Sequence, residues 1–363
     1  MTILCLCKEE NHRKLLPAYA RALRARGVRF FCVDWSPRFD SPLETLLQRC
    51  PEKPTCILQV ESDFPLLPEE LVRTEIPTVC LDVDTYAYTK CRMRWSSLFD
   101  HVGVFHPGYE GLFRRSGHPG AFLLPHAVCR EFFDQPELSR EFEVGWVGLT
   151  SGPFYRKRRE WMRKLANAFR MNDWRRTYSL EEVAGVYRRS RVVVNIGRDD
   201  YPQDANMRVF EVLASGALLL TSLPSELSEL GFQDGVHFVG YRQDSEIKPF
   251  VRRFLKDEPA RARIAQAARK KVLQEHTYDC RADQLLRRLQ QYGHRKLAPA
   301  RAWPETRVHL TYLDFFSAQG VLDCAGAQFR HVAGHGFRQT VEGLALLGKA
   351  WMRGFNQRRG IAA

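Results

Sequence analysis

Along the first 124 residues, short apolar runs alternate with segments whose apolar positions recur at helical spacing, the pattern of a parallel sheet joined by crossover helices. Strands are predicted at Ile3–Cys7, Arg29–Asp34, Cys56–Val60, Thr78–Leu81, His101–Phe105 and Ala121–Leu124. Helices are predicted over His12–Arg26, Pro68–Arg73 and Tyr109–Arg115, with a loop running through Trp95. Pro125 and His126 end this series, and the polar, aperiodic stretch from Cys129 to Arg140 reads as a linker.

A second series then begins. Strands are predicted at Glu143–Gly148, Arg191–Ile196, Ala217–Thr221 and His237–Val239, and helices at Pro153–Phe169, Leu180–Arg189 and Arg208–Ala214, with helical segments continuing from Glu246 to Tyr292. A Pro/Ala/Arg-rich connector, Gly293–Pro304, leads to helices near Val308–Val321 and Gln339–Phe355. The expected organisation is two α/β domains, residues 1–128 and 141–292, joined by a linker at 129–140. A helical tail, 293–363, would pack back on the first domain or meet a partner or membrane.

A length of 363 residues agrees with two domains. The formal charge of +13 calls for an anionic partner, and the tail from Gln291 onward holds ten Lys/Arg against four Asp/Glu. No window offers the ~20 apolar residues of a membrane span, and Met1–Lys8 lacks the features of a signal peptide. The expected location is therefore the cytoplasm, with the basic tail able to meet the inner face of the membrane. Ten cysteines are scattered singly, apart from the alternating Cys5 and Cys7, and form neither a disulfide framework nor a zinc pattern. His331 and His335 lack the Glu of a zinc-binding HExxH motif. With no zinc finger, RNP-like strand or continuous basic helix, no nucleic-acid partner is expected.

Candidate chemistry gathers in the second domain. Ligands of open α/β sheets collect beyond the carboxyl ends of strands, which puts Asn195 and Arg198 at a crevice. The helix starting near Asn206 offers free N–H groups to a phosphate, and Arg208 in its first turn opposes the helix dipole unless an anion is bound. Glu211, one turn on, can accept both hydroxyls of a ribose. Gly216 provides the left-handed cap of the helix end. In the loop after the first strand, Gly148 lets backbone approach a diphosphate, and Arg156 or Arg158 can neutralise it. In the first domain, Asp82-Val-Asp84 is a D-x-D pair that can hold a divalent metal in single-domain glycosyltransferases. The full second domain downstream disfavours that reading, and no metal is expected. Asp84, His106 and His126 are the candidates for acceptor contact or for a general base.

The segment NMRVFEVLASGALLLT, residues 206–221, resembles the donor-site segment of GT-B glycosyltransferases, especially the spore-maturation (CgeB-like) group. EVGWVG at 143–148, Tyr187–Asn195, DGVHFVGY at 234–241 and HTYDCR at 276–281 resemble neighbouring parts of that family, and Glu61, IPTVCLDVD at 76–84, Phe99-Asp100 and Leu124-Pro-His126 match its first domain more loosely, so the likeness spans roughly residues 1–292. It implies a GT-B architecture of two Rossmann-like domains facing a cleft, with a UDP-, GDP- or dTDP-linked sugar as donor and no other cofactor. By position, Glu211 matches the carboxylate that grips the ribose, Ser215 and Gly216 match small residues bordering the nucleotide, and Arg208 matches a basic residue facing the diphosphate. Gln203 stands where many retaining relatives carry a second Glu that contacts the sugar, which leaves the stereochemical course open. The implied activity is sugar transfer to a glycan, lipid-linked or protein acceptor. The alternative is a catalytically silent GT-B-like module that binds an anionic polymer or nucleotide.

Overall fold

The computed structural model describes residues 1–6, 15–33, 43–60, 69–86, 89–136, 138–201, 204–319 and 322–358. The chain divides into two compact units, Met1–Leu124 together with Leu285–Ala363, and Pro125–Gln284.

Unit 1 opens with β1 (Thr2–Cys5), α1 (Leu15–Arg24), β2 (Arg29–Cys32), α2 (Leu43–Gln48), β3 (Cys56–Val60) and β4 (Thr78–Asp82). It continues with α3 (Thr89–Ser96), β5 (His101–Val104), α4 (Pro107–Arg115) and β6 (Ala121–Leu123). The six strands form one parallel sheet in the order β2-β1-β3-β4-β5-β6. Every residue of β3, β4 and β5 is buried, because a parallel sheet is covered on both faces, and this is why these strands read as unbroken apolar runs.

Unit 2 contains α5 (Arg130–Phe133), β7 (Phe142–Gly145), α6 (Arg156–Ala166), α7 (Leu180–Arg188), β8 (Ser190–Val194), α8 (Met207–Ser215), β9 (Leu218–Ser222), β10 (Val239–Tyr241), α9 (Ile247–Lys256) and α10 (Glu258–Glu275). Its parallel sheet runs β10-β9-β8-β7. The Ser179–Glu182 pair forms a reciprocal capping box that fixes the start of α7. Phe133 lies in the same core as Tyr187 and Phe210, so the segment expected to be a linker contributes to this unit's interior.

Helix α11 (Tyr278–Tyr292) carries the chain back to unit 1, where α12 (Glu305–Gln319), α13 (Leu322–Ala333) and α14 (Phe337–Arg358) follow. These helices are not an appendage. Tyr312, Leu313, Phe315 and Phe316 belong to the core that contains Leu4, Ile57, Cys80 and Val102. Trp95 of α3 stacks on Phe315 at 4.1 Å between ring centroids and meets the edge of Tyr312 at 5.5 Å. Buried Asp100 anchors the connector, accepting from the Leu297 and Ala298 amides at 2.9 and 3.2 Å and from the Thr78 amide at 3.1 Å.

Four helices, α2, α3, α5 and α13, stand where none was expected. Residues 89–96 form α3 where a loop was expected, since only Cys91 and Trp95 mark an apolar face in that short basic stretch. Small residues such as Ala325 and Gly326 dilute the periodicity of α13. Strand β7 stops at Gly145, three residues short of the expected end, because the backbone leaves the sheet at Trp146. The expected boundaries at Cys7, His12, Asp34, Pro68 and Val321 lie outside the described residues.

Candidate functional site

The carboxyl ends of β7 and β8 in unit 2 bring together Gly148, Arg158, Asn195, Arg198 and Arg208. Trp146, just past β7, is fully buried and is held through its backbone by Asn172, which accepts from the Trp146 amide at 2.9 Å and donates to its carbonyl at 2.8 Å. Two guanidinium groups lie against its ring, Arg208 at 4.4 Å and Arg158 at 5.3 Å from the centroid.

Arg208 is aimed by its neighbours. Its Nε donates to the Val147 carbonyl at 2.8 Å and its Nη1 to Asn195 Oδ1 at 3.1 Å. Asn195 is itself fixed, donating through Nδ2 to Thr221 Oγ1 at 3.2 Å and accepting the Tyr241 hydroxyl on its carbonyl at 3.1 Å. Gly148 has φ of +153°, and a Cβ there would fall 2.2 Å from Nη2 of Arg208. Only glycine lets the guanidinium lie across the turn.

Arg158 is buried, donating from Nε to the Ile196 carbonyl at 3.0 Å and from Nη1 to the Leu149 carbonyl at 2.9 Å. Burial, and then the charge of Arg208, pull it down to about 9. Arg198 stands over the Phe154 ring at 4.9 Å and pairs with Asp200 at 2.8 Å. Among the described residues neither Arg158 nor Arg208 has an ion-pair partner. Positive charge held this way, partly dry and uncompensated, is a site for an anion. Arg156 differs: its side chain is exposed, while its amide and that of Lys157 donate to the Asp199 carboxylate, at 2.9 and 3.2 Å, which caps the start of α6.

Glu211 is buried on α8, one turn past Arg208. Tyr187 of α7 sits within reach of both charges: burial raises its phenol, Arg208 opposes that shift and Glu211 reinforces it. Asn206 stands at the N-cap with extended backbone but makes no side-chain cap bond. Gln203 lies outside the described residues.

Ser215 ends α8 and Gly216 follows it, so at ~1.5 Å of rise per residue roughly 10–12 Å of helix separates them from Arg208, and they stand just before β9. There the Ser215 hydroxyl donates to the Val212 carbonyl at 2.7 Å and accepts the Ala217 amide at 3.2 Å. Gly216, at φ of +74°, accepts Arg140 Nη2 on its carbonyl at 2.8 Å. Both residues close the helix, and their small size serves that turn.

A residue that sequence reasoning passed over braces the loop before α8. Asp204 is 2% exposed and accepts from Thr221 Oγ1 at 2.8 Å, Ser225 Oγ at 2.7 Å and the Glu226 amide at 3.0 Å. Burial raises its pKa while these three bonds lower it. Tyr187 and Trp146 were also missed. Both lie in family-like segments, but there they read as members of apolar runs rather than as residues of a site.

In unit 1, the carboxyl ends of β4 and β5 gather a second polar cluster. Asp82, 1% exposed, accepts from Ser96 Oγ at 3.4 Å and stands 3.7 Å from Arg92 Nη1. His106, also buried, caps α4 by position and bears on Asp82 through its charge. Asp84, two residues on, is exposed where Asp82 is buried. His126 belongs to unit 2, its ring tilted against Phe210 at 6.5 Å and its carbonyl accepting Arg281 Nη2 at 3.2 Å.

Burial pushes the Asp82 carboxyl up to about 7, against hydrogen bonds from Thr85 and Ser96. Its folded pKa lies above the ordinary carboxylate value, so the folded state holds a proton that the unfolded chain has released across roughly pH 4 to 7. Stability of unit 1 is therefore expected to be highest below that window and to fall as pH rises through it. Denaturant unfolding as a function of pH should show this dependence flattened in Asp82→Asn, by on the order of a few kcal/mol between the two ends. An unchanged slope in the variant would mean that Asp82 is not the group responsible.

Residues 131–287 match the glycosyl transferase-like family. No curated protein matches the sequence. Among solved structures, HepE from Anabaena, crystallised in complex with UDP and glucose, is similar with a TM-score of 0.54 at 14% identity, covering 80% of this chain and 100% of that one. Sucrose-phosphate synthase from Thermosynechococcus elongatus gives 0.53 at 13% identity, covering 80% and 98%. A glycosyltransferase from Rickettsia africae gives 0.50 at 8% identity, again covering 80% and 98%. At such identities the likeness is one of fold: an α/β chain with two parallel sheets, as in GT-B glycosyltransferases.

Proposed function

We propose that the protein transfers a sugar from a nucleotide-diphosphate sugar to a glycan, lipid-linked or protein acceptor. The observation that carries this reading is the arginine group around the Gly148 turn, in which Arg158 and Arg208 lack ion-pair partners and Arg208 is aligned by Val147 and Asn195. On transfer, the bond from the anomeric carbon to the diphosphate oxygen breaks and negative charge grows on the departing nucleotide. Guanidinium groups fixed beforehand stabilise that charge without reorganising. Arg208, Arg158 and Arg198 are assigned to the diphosphate, with Glu211 on the ribose and Asn206 and Arg156 at the rim. The match of residues 131–287 to the glycosyl transferase-like family and the UDP complex of HepE support a nucleotide-sugar donor.

Acceptor recognition is assigned to unit 1, with Asp84 and His106, next to Asp82, as contacts or base; His126 remains the candidate from unit 2. The motif order supports the spore-maturation (CgeB-like) group. The same reading puts the protein in the cytoplasm with its basic tail against the inner face of a membrane. Because arginines supply the positive charge, catalysis is read as metal-independent, and turnover should be indifferent to a chelator.

Calorimetric titration with UDP-, GDP- and dTDP-sugars, alongside hydrolysis of the same donors, tests the proposal. One donor is expected to bind, and Glu211→Ala to weaken it about 10-fold or more, the value of a charged hydrogen bond. Absence of binding for every donor would end the reading, and binding without turnover across an acceptor panel would favour the silent module.

A further inference from the structure

The tail helices of unit 1 carry a surface that the reaction does not use. Between α12 and α14 lies an open depression of about 410 Å³ lined by Arg94, Trp303, Arg307, Leu310, Arg338 and Glu342. Arg94 is neutralised by Asp314 at 2.8 Å. Arg307 rests on the face of Trp303, its guanidinium carbon 4.0 Å from the ring centroid, and is exposed, as is Arg338. Neither has an ion-pair partner among the described residues.

Beside this basic depression the same helix exposes apolar side chains. Leu346 of α14 is buried in the unit 1 core and Leu347 packs against it, whereas Val341 and Leu344 are 48% and 53% exposed. They are two of the few large apolar side chains left in solvent. Val341 and Leu344, three residues apart, share one side of α14. Over Phe337–Arg358 it holds four basic residues, Arg338, Lys349, Arg353 and Arg358, against one acid, Glu342.

From this combination we infer that the exposed side of α14, with Arg307 and Arg338, docks on an anionic phospholipid surface. The two arginines take headgroup phosphates, and Val341 and Leu344 enter the acyl boundary. The inference deepens the membrane contact proposed for the tail and rests on that part of the reading. A water-soluble anion would need the arginines alone. A protein partner would match the apolar side but has no stated need for uncompensated cations. An anionic lipid surface uses both at once, since apolar area and phosphate attraction add in interfacial binding. Among the described residues no helix is long and apolar enough to cross a membrane, so the contact is with the surface of the bilayer.

Co-sedimentation of the full chain with vesicles of phosphatidylcholine alone, or mixed with phosphatidylglycerol, tests the inference. The protein should pellet with the mixed vesicles and stay in solution with the neutral ones. The double variant Arg307→Ala/Arg338→Ala should lower the partition coefficient roughly 20–30-fold, and Val341→Asp/Leu344→Asp should abolish pelleting. These exposed positions should leave the melting temperature and nucleotide-sugar binding unchanged, so a loss of vesicle binding is not a loss of fold or donor site. If both variants pellet like the wild type, the assigned surface is wrong while membrane contact itself stands. If the wild type does not pellet, both fall. If light scattering without vesicles shows a dimer that Leu344→Asp dissolves, the face belongs to a second copy and the lipid assignment is overturned.

Discussion

Arg208→Ala is expected to lower kcat/KM by about 10²–10³, the loss seen when one preorganised donor to a developing anion is removed. The expectation follows from how much of the site exists to aim this side chain. Val147, Asn195 and Trp146 hold three sides of the guanidinium, and the turn at Gly148 clears the fourth. Arg208→Lys keeps a charge but loses the planar fork that bonds the Val147 carbonyl and Asn195 together, so it should recover only part of the activity. Gly148→Ala leaves Arg208 in the sequence but sets a Cβ 2.2 Å from its Nη2, at a φ of +153° that alanine rarely adopts. It should therefore resemble Arg208→Ala in kcat/KM. Nucleotide release measured at subsaturating donor, with thermal melting as a fold control, decides the matter. Near wild-type turnover in Arg208→Ala would remove the diphosphate assignment.

The largest effect on stability is expected from Trp95→Ala, at about 3–5 kcal/mol. Trp95 is 1% exposed and bridges α3 to α12 through its stack on Phe315 and its edge contact with Tyr312. A loss of that size is a large part of the ~5–15 kcal/mol that holds a domain folded. Hydrogen exchange in β3, β4 and β5 should rise in the variant, while exchange in β8 and β9 of unit 2 stays as it was. Phe315→Ala and the double variant complete a cycle in which the stacked pair should couple by about 0.5–1.5 kcal/mol. Loss below ~1 kcal/mol for Trp95→Ala would mean that the tail helices add little to this core.

The strands were legible because they are short, largely apolar runs of three to five residues bounded by polar turns, and both parallel sheets could be read from them. Residues of the candidate site that stand out on their own stretch of chain were legible too. Arg208 stands out as a cation at a helix start, and Gly148 as a glycine leaving a strand. Residues whose role depends on a distant partner were not. Asp204 has no pattern until Thr221 and Ser225 arrive at its carboxylate. Asp82 and Asp84 are two residues apart, and only the packing of α3 over β4 separates the buried one from the exposed one. Ser215 and Gly216 adjoin the donor-like motif in sequence, and the nine-residue helix α8 carries them away from Arg208 to the start of β9. The placement of the tail stayed open in the sequence for a related reason, since Tyr312, Phe315 and Phe316 pack against residues more than two hundred positions earlier.

That last arrangement has a temporal side. The chain finishes unit 2 at Gln284 before it supplies the helices that cover Trp95, Phe99 and their sheet. During synthesis at ~5–20 residues per second the amino-terminal segment must wait roughly 10–40 s with this apolar surface bare, while the segment made later completes its own core first. The buried aromatic residues of α12 thus act as a closing signal: until they leave the ribosome, the first-made strands are the part of the nascent chain most in need of a chaperone.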